Sequence, residues 1–104
     1  MKSFLSFLFI LFATLCVNAD SSLYDRGKEL FEAKDYDKAL KAFVLAANTG
    51  DLDAMTAVGI MYIGGWGVEQ SDQLGLDYIT KAANQSHPKA QYSLGAIYYL
   101  GVGV

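Results

Sequence analysis

The stretch AMTAVGIMYIGGWGV, residues 54–68, returns as AQYSLGAIYYLGVGV, residues 90–104. Ala54 aligns with Ala90, Gly59 with Gly95 and Tyr62 with Tyr98, while Gly65, Gly67 and Val68 align with Gly101, Gly103 and Val104. Every offset is 36 residues. The same step carries LKAFVLAANTGDLDA, residues 40–54, onto LDYITKAANQSHPKA, residues 76–90. A fixed offset held over most of a chain marks a repeat protein, in which each unit buries its apolar face against its neighbours.

Each unit is expected to hold two helices. Apolar or small residues recur at Ala54, Val58, Gly59 and Tyr62, and at Ala90, Leu94, Gly95 and Tyr98, which is helical spacing. The second helix shows it at Leu40, Phe43, Ala46 and Ala47, and at Leu76, Ile79, Ala82 and Ala83. Asp51 and Asp72 are the expected N-caps. Pro88 suits a first helical turn, where its missing N–H costs nothing. Glycine inside a helix is about 1 kcal/mol worse than alanine, so Gly59 and Gly95 point to close helix packing. Ala39, Gly75 and Ala82 are the small residues expected to meet them. After the helix, Gly64 or Gly65 takes the left-handed turn that ends it, Gly67 allows a second bend, and Val68 tucks back. A phosphate-binding reading of IGGWGV fails because no Lys-Ser/Thr follows.

The first unit departs from this plan. Gly27 to Ala39 is a step of 12, whereas Gly59 to Gly75 is a step of 16. Its helices join through Glu32-Ala33-Lys34-Asp35-Tyr36, without the glycine loop. An atypical terminal unit is what a stack of repeats uses as a cap.

Ahead of the repeats stands MKSFLSFLFILFATLCVNA, residues 1–19. One lysine, an apolar run from Phe4 to Leu15 and small residues ending at Ala19 form a secretory signal, with cleavage expected between Ala19 and Asp20. A lipoprotein reading through Cys16 meets Leu15 where a small residue is needed. No later stretch is apolar for long enough to span a bilayer. Lys2 is the leader's only charge, so its removal takes the formal net charge from −3 to −4. That acidic balance excludes a nucleic-acid binder, which needs a basic face. The single cysteine, Cys16, leaves with the leader, so no disulfide framework remains. His87 is the only histidine, and no metal or cofactor site is expected.

These residues resemble the Sel1-like repeats, relatives of the tetratricopeptide repeat. The pattern is carried by Ala54, Val58-Gly59, Tyr62, Gly65, Gly67-Val68, Asp72, Lys81-Ala82-Ala83 and Ala90. It begins again at Ala90 and runs through Leu94-Gly95, Tyr98 and Gly101 to Gly103-Val104. Gly75 replaces the usual alanine, and Ser86 the usual glycine after Lys-Ala-Ala. The resemblance implies an all-α fold, an α-solenoid of antiparallel helix pairs over residues 20–104. Its units are about 21–50, 51–86 and a partial 87–104. It implies a scaffold that binds another protein or peptide, here exported to a periplasm or secreted. The partner helix of residues 90–100 is not in the sequence. The chain is therefore expected to belong to a longer array, with Leu94 and Tyr98 partly uncovered; the alternative is a short protein that dimerises there.

In such arrays the first helix of each pair lines a concave groove. Taking positions three before, one after and four after each helix glycine gives Tyr24, Lys28 and Phe31; Thr56, Ile60 and Ile63; and Tyr92, Ala96 and Tyr99. Tyr24, Lys28, Tyr92 and Tyr99 are the candidate partner-binding residues, because tyrosine joins an apolar body to a polar tip. Ile60, Ile63 and Phe31 are expected to pack between repeats instead. Trp66, at a loop tip, is either a binding anchor or a lid folded over the helix ends. Met55 and Met61 are assigned to packing, His87 to the exposed surface, and Asp37–Lys41 to a surface ion pair. Val58 and Tyr62 are expected to pack on the partner helix.

An enzymatic alternative exists. Cysteine-rich Sel1-like proteins of Helicobacter have been described as penicillin-binding, β-lactamase-like proteins. Ser86-His87-Pro88-Lys89 fits Ser-x-x-Lys. That motif needs Ser and Lys on one helical face with two companion motifs, and here Pro88 separates them and the companions are absent. Ala83, Gln91, Ala47 and Met55 stand where the cysteine-rich group carries its paired cysteines. No catalytic residue is assigned.

Overall fold

The computed structural model describes residues 23–101. The leader, with Ala19 and Asp20, and Gly103 in the second glycine loop lie outside the described residues. Five helices follow in order: α1 (residues 23–32), α2 (Tyr36–Asn48), α3 (Leu52–Gly64), α4 (Asp72–Ala83) and α5 (Pro88–Leu100). The fold is all-α, and short connections make successive helices antiparallel neighbours. α3 packs between α2 and α4, and α4 between α3 and α5. α1, α3 and α5 are thus the first helices of successive units.

The sequence sets the helix ends through local chemistry. Asp51 caps α3, its Oδ1 accepting from the Ala54 N–H at 3.1 Å. Asp72 is not a cap. Ser71, in extended backbone, takes that place and accepts from the Leu74 N–H at 3.2 Å. Asp72 instead occupies the first turn, where its negative charge faces the positive end of the helix dipole. Pro88 opens α5. α3 ends at Gly65 (φ 68) and α5 at Gly101 (φ 76), both left-handed as expected. After α2 and α4 the chain turns at Gly50 (φ 94) and Ser86 (φ 61), again 36 residues apart. The fold therefore asks for a left-handed residue at Ser86 and receives one with a Cβ, at a cost of roughly 1–2 kcal/mol.

The core is built from small side chains. Ala39, Ala46, Ala54, Ala82 and Ala90 are fully buried beside Val58, Ile79, Met61 and Phe43. Met55 and Met61 pack inside, as their spacing predicts. Helices lined by alanine approach closely, and the closest approach is between α3 and α4. A Cβ on Gly59 would lie 2.5 Å from Ile79 Cγ1 and 2.7 Å from the Gly75 carbonyl oxygen. A Cβ on Gly75 would lie 2.6 Å from the Gly59 carbonyl oxygen and would collide with Ile63. Each glycine thus admits the other helix's backbone, and Ile79, rather than Ala82, supplies the second contact. Tyr62 stacks on Tyr78 of α4, with ring centroids 5.9 Å apart, and Val58 is fully buried.

The first helix pair uses a different device. Gly27 lies against the Phe43 ring, where a Cβ would come within 2.6 Å of Cδ1. α1 and α2 connect through residues 33–35 with Lys34 at φ 63, against residues 65–71 between α3 and α4. Among the described residues the surface ion pairs of this unit are Arg26–Glu29 and Lys38–Asp35, not Asp37–Lys41. All are exposed and contribute about 0–1 kcal/mol each.

The two helix glycines behave oppositely. A Cβ on Gly95 would meet nothing within 4 Å. Gly95→Ala should therefore stabilise the chain by about 1 kcal/mol, the difference in helix propensity. Gly59→Ala gains the same propensity but forces a methyl group against a backbone oxygen, an overpacking cost of about 1–3 kcal/mol. Urea unfolding of the two variants should move the midpoint in opposite directions; equal shifts would contradict the crossing described.

Candidate functional site

The first helices form a continuous groove. One part, of about 430 Å³, lies between Tyr24 of α1, Asp53, Thr56, Ala57 and Ile60 of α3, and Pro88, Lys89, Tyr92 and Ser93 of α5. A second part, of about 270 Å³, shares Ala57 and Ile60 and runs on past Lys28, Phe31 and Glu32. The lining is mostly apolar, the character of a binding cleft with few polar anchors.

Each member of the predicted stripe has a definite place. Tyr24 is half-buried over the Phe43 ring, at 5.6 Å between centroids, and Lys28 Nζ sits 5.5 Å from the Tyr24 ring centre. Thr56 lies on the floor, 5% exposed, with its hydroxyl donating to the Leu52 carbonyl at 2.9 Å. Its polarity is thus spent within α3. Ile60 was expected between repeats, yet it is 45% exposed and lies in the groove. Ile63 turns the other way, into α4 against Gly75. Tyr92 borders the groove, whereas Tyr99 stands on the far side of α5 with Leu100, outside it. The reason is helical geometry. At about 100° per residue, Ile63 and Tyr99, four after their glycines, return to within about 40° of them, the side on which α3 meets α4, whereas Phe31 at that position in α1 borders the groove.

Trp66 folds back. Its ring lies 5.6 Å from Phe31 and 5.0 Å from Tyr36, edge-on to the latter, and Phe31 and Tyr36 are themselves in contact. This cluster joins the glycine loop to the α1–α2 turn. Gly67 approaches the Tyr36 backbone so closely that a Cβ would come within 2.6 Å of its carbonyl carbon. Val68 is half-buried.

One end of the groove carries charge. Asp53 Oδ1 lies 3.1 Å from His87 Nε2 and 3.7 Å from Lys89 Nζ. His87 was expected on the surface, but its side chain is only 14% exposed, because the α4–α5 loop lies over the start of α3. Its Nε2 is buried beside Asp53 without an aligned hydrogen bond. Sequence reasoning missed this cluster, although a signal existed. Asp53 and Lys89 are 36 residues apart with opposite charges, and stacking brings equivalent positions of adjacent units side by side. Ser86 sits on its left-handed turn, and Lys89 lies beside Asp53. Among the described residues no three His, Cys, Asp or Glu side chains converge as a metal site would require.

Burial raises the Tyr24 pKa above its ordinary value, and the Asp53 carboxylate adds to the shift, with Lys89 opposing it. A tyrosine whose pKa is raised by folding contributes stability below the unfolded value of about 10 and loses it as pH climbs through the folded value. The stability difference between the native chain and Tyr24→Phe should therefore shift against the native chain above about pH 10. A difference that stays flat from neutral pH upward would contradict this placement of the Tyr24 hydroxyl.

The model of the Sel1 repeat family matches residues 19–51, 52–87 and 88–104. Among solved structures, the crystal structure of a Sel1 repeat protein from Oxalobacter formigenes is similar, with a TM-score of 0.70 and 32% sequence identity. The match covers 78% of this chain and 33% of that one, so the chain spans about a third of that protein's length. No described helix is long and apolar enough to cross a membrane. The three matched segments, taken with the helix pairs and their glycine crossing, place this chain in the Sel1 repeat family.

Proposed function

We propose that this chain is an interaction scaffold of the exported bacterial type, working in the cell envelope or outside the cell. In this reading its α1–α3–α5 groove binds a segment of another protein. The observation that carries the reading is Ile60. A large aliphatic side chain 45% exposed and lining both parts of the groove is an unused apolar seat. Tyr24 and Tyr92 flank that seat, supplying amphipathic area at low entropic cost. Lys28, Glu32, Asp53 and Lys89 ring it, the polar rim of an interaction surface. Export is supported by the leader's charge, apolar run and small residues. The groove fits an extended or helical segment that presents one bulky apolar side chain to Ile60.

Linear peptides selected from a display library on the immobilised chain test this. They should share an aromatic or aliphatic anchor and lose more than about tenfold in affinity on Ile60→Arg, the scale of losing a central contact. Tyr99→Ala, outside the groove, should leave them bound. A library that yields no binder, or binders indifferent to Ile60→Arg, would overturn the groove assignment.

A further inference from the structure

The groove carries two carboxylates, and the fold treats them differently. At the α5 end, Asp53 has a counter-ion within the chain. Lys89 Nζ lies 3.7 Å from its Oδ1, and His87 Nε2 lies 3.1 Å from the same oxygen. At the α1 end, Glu32 is exposed at the edge of the second part of the groove, beside Phe31, Ile60 and Met61. Among the described residues it forms no ion pair. Lys28, four residues earlier on α1, lines the same part of the groove but is placed elsewhere, with its Nζ 5.5 Å from the Tyr24 ring centre. Two properties of a helix send it there. Side chains lean toward the helix N-terminus, so Lys28 leans back one turn onto Tyr24. A lysine four residues before a glutamate is also the weaker order for such a pair. This part of the groove thus has apolar walls and one uncompensated negative charge at its edge.

We propose that the protein segment bound in the groove is basic: beside the bulky apolar side chain seated on Ile60, it presents an arginine or lysine to Glu32. This rests on the groove reading given above and adds the partner's charge to it. Arginine fits best. Its stem lies along the apolar wall of Phe31 and Ile60 while its head reaches the rim, and its planar fork matches the two oxygens of a carboxylate. The acidic balance of the chain, net −3, draws a basic segment in from a distance. An acidic segment meets the opposite conditions. Glu32 repels it, while Lys89 lies beside Asp53 and Lys28 over the Tyr24 ring.

The test swaps charges across the contact. Peptides selected on the immobilised full chain from a display library of random linear sequences are resynthesised with each Lys or Arg replaced in turn by Glu. Their affinities are read by fluorescence anisotropy. Basic residues should be enriched close to the shared apolar anchor, and one such replacement should weaken binding by about tenfold or more. Glu32→Lys in the chain should weaken the parent peptide by a similar factor and restore binding of its Glu-substituted form. Asp77→Lys makes the same change of net charge on α4, outside the groove, and should leave the discrimination between the two peptides unchanged. Binders that need Ile60 but show no basic enrichment, or that bind the native and Glu32→Lys chains equally, would overturn the basic-partner assignment and leave the groove standing. An equal effect of Asp77→Lys would overturn it too, because the preference would then follow bulk charge. A library with no Ile60-dependent binder would remove the groove reading and this proposal with it.

Discussion

The contact between Gly59 and Gly75 governs the rest of the molecule. It lets the backbones of α3 and α4 touch, with a carbonyl oxygen of each in the space where the other's Cβ would sit. Backbones this close leave room for small side chains, and Ala54 of α3 and Ala82 of α4 are fully buried beside Val58 and Ile79. Large apolar side chains then have few interior places. Some, such as Ile79 and Met61, fill them. Others, such as Ile60, are left facing the groove. The tight stack and the available binding surface share one cause.

The repeat divides labour between the two helices of each unit. α2 and α4 are the spacers, α2 packing on α1 and α3, and α4 on α3 and α5. α3 and α5 bring equivalent positions side by side along the groove, which is how Asp53 and Lys89 come to pair across units with His87 between their helices. The glycine loop after α3 closes back on the preceding unit, where Trp66 meets Phe31 and Tyr36. The loop is thus a clasp between units, and its glycines serve the turn and the approach to Tyr36.

Much of this was legible in the sequence because periodicity reports directly on packing. The 36-residue offset located the helices, Asp51 and Pro88 marked two of their starts, and Gly59 announced the crossing, while Gly95, read the same way, meets nothing within 4 Å. What was not legible depends on orientation. Asp72 and Ser71 are both capping residues, and only the extended backbone at Ser71 decides between them. An isolated histidine reads as surface, but the α4–α5 loop lays His87 over Asp53. Ile60 and Ile63 are identical in chemistry and three residues apart, so no composition rule sends one to the groove and the other to α4. The angle each makes with the crossing glycine does.

If the α3–α4 crossing is the centre of stability, protection should fall away from it in both directions along the stack. Native-state amide hydrogen exchange measures this most directly. The slowest-exchanging amides should cluster in α3 and α4 around Gly59 and Gly75, with α5 exchanging faster because its outer face around Gly95 is uncovered. Protection in α5 equal to that of α3, or slowest exchange centred on the α1–α2 pair, would contradict the account.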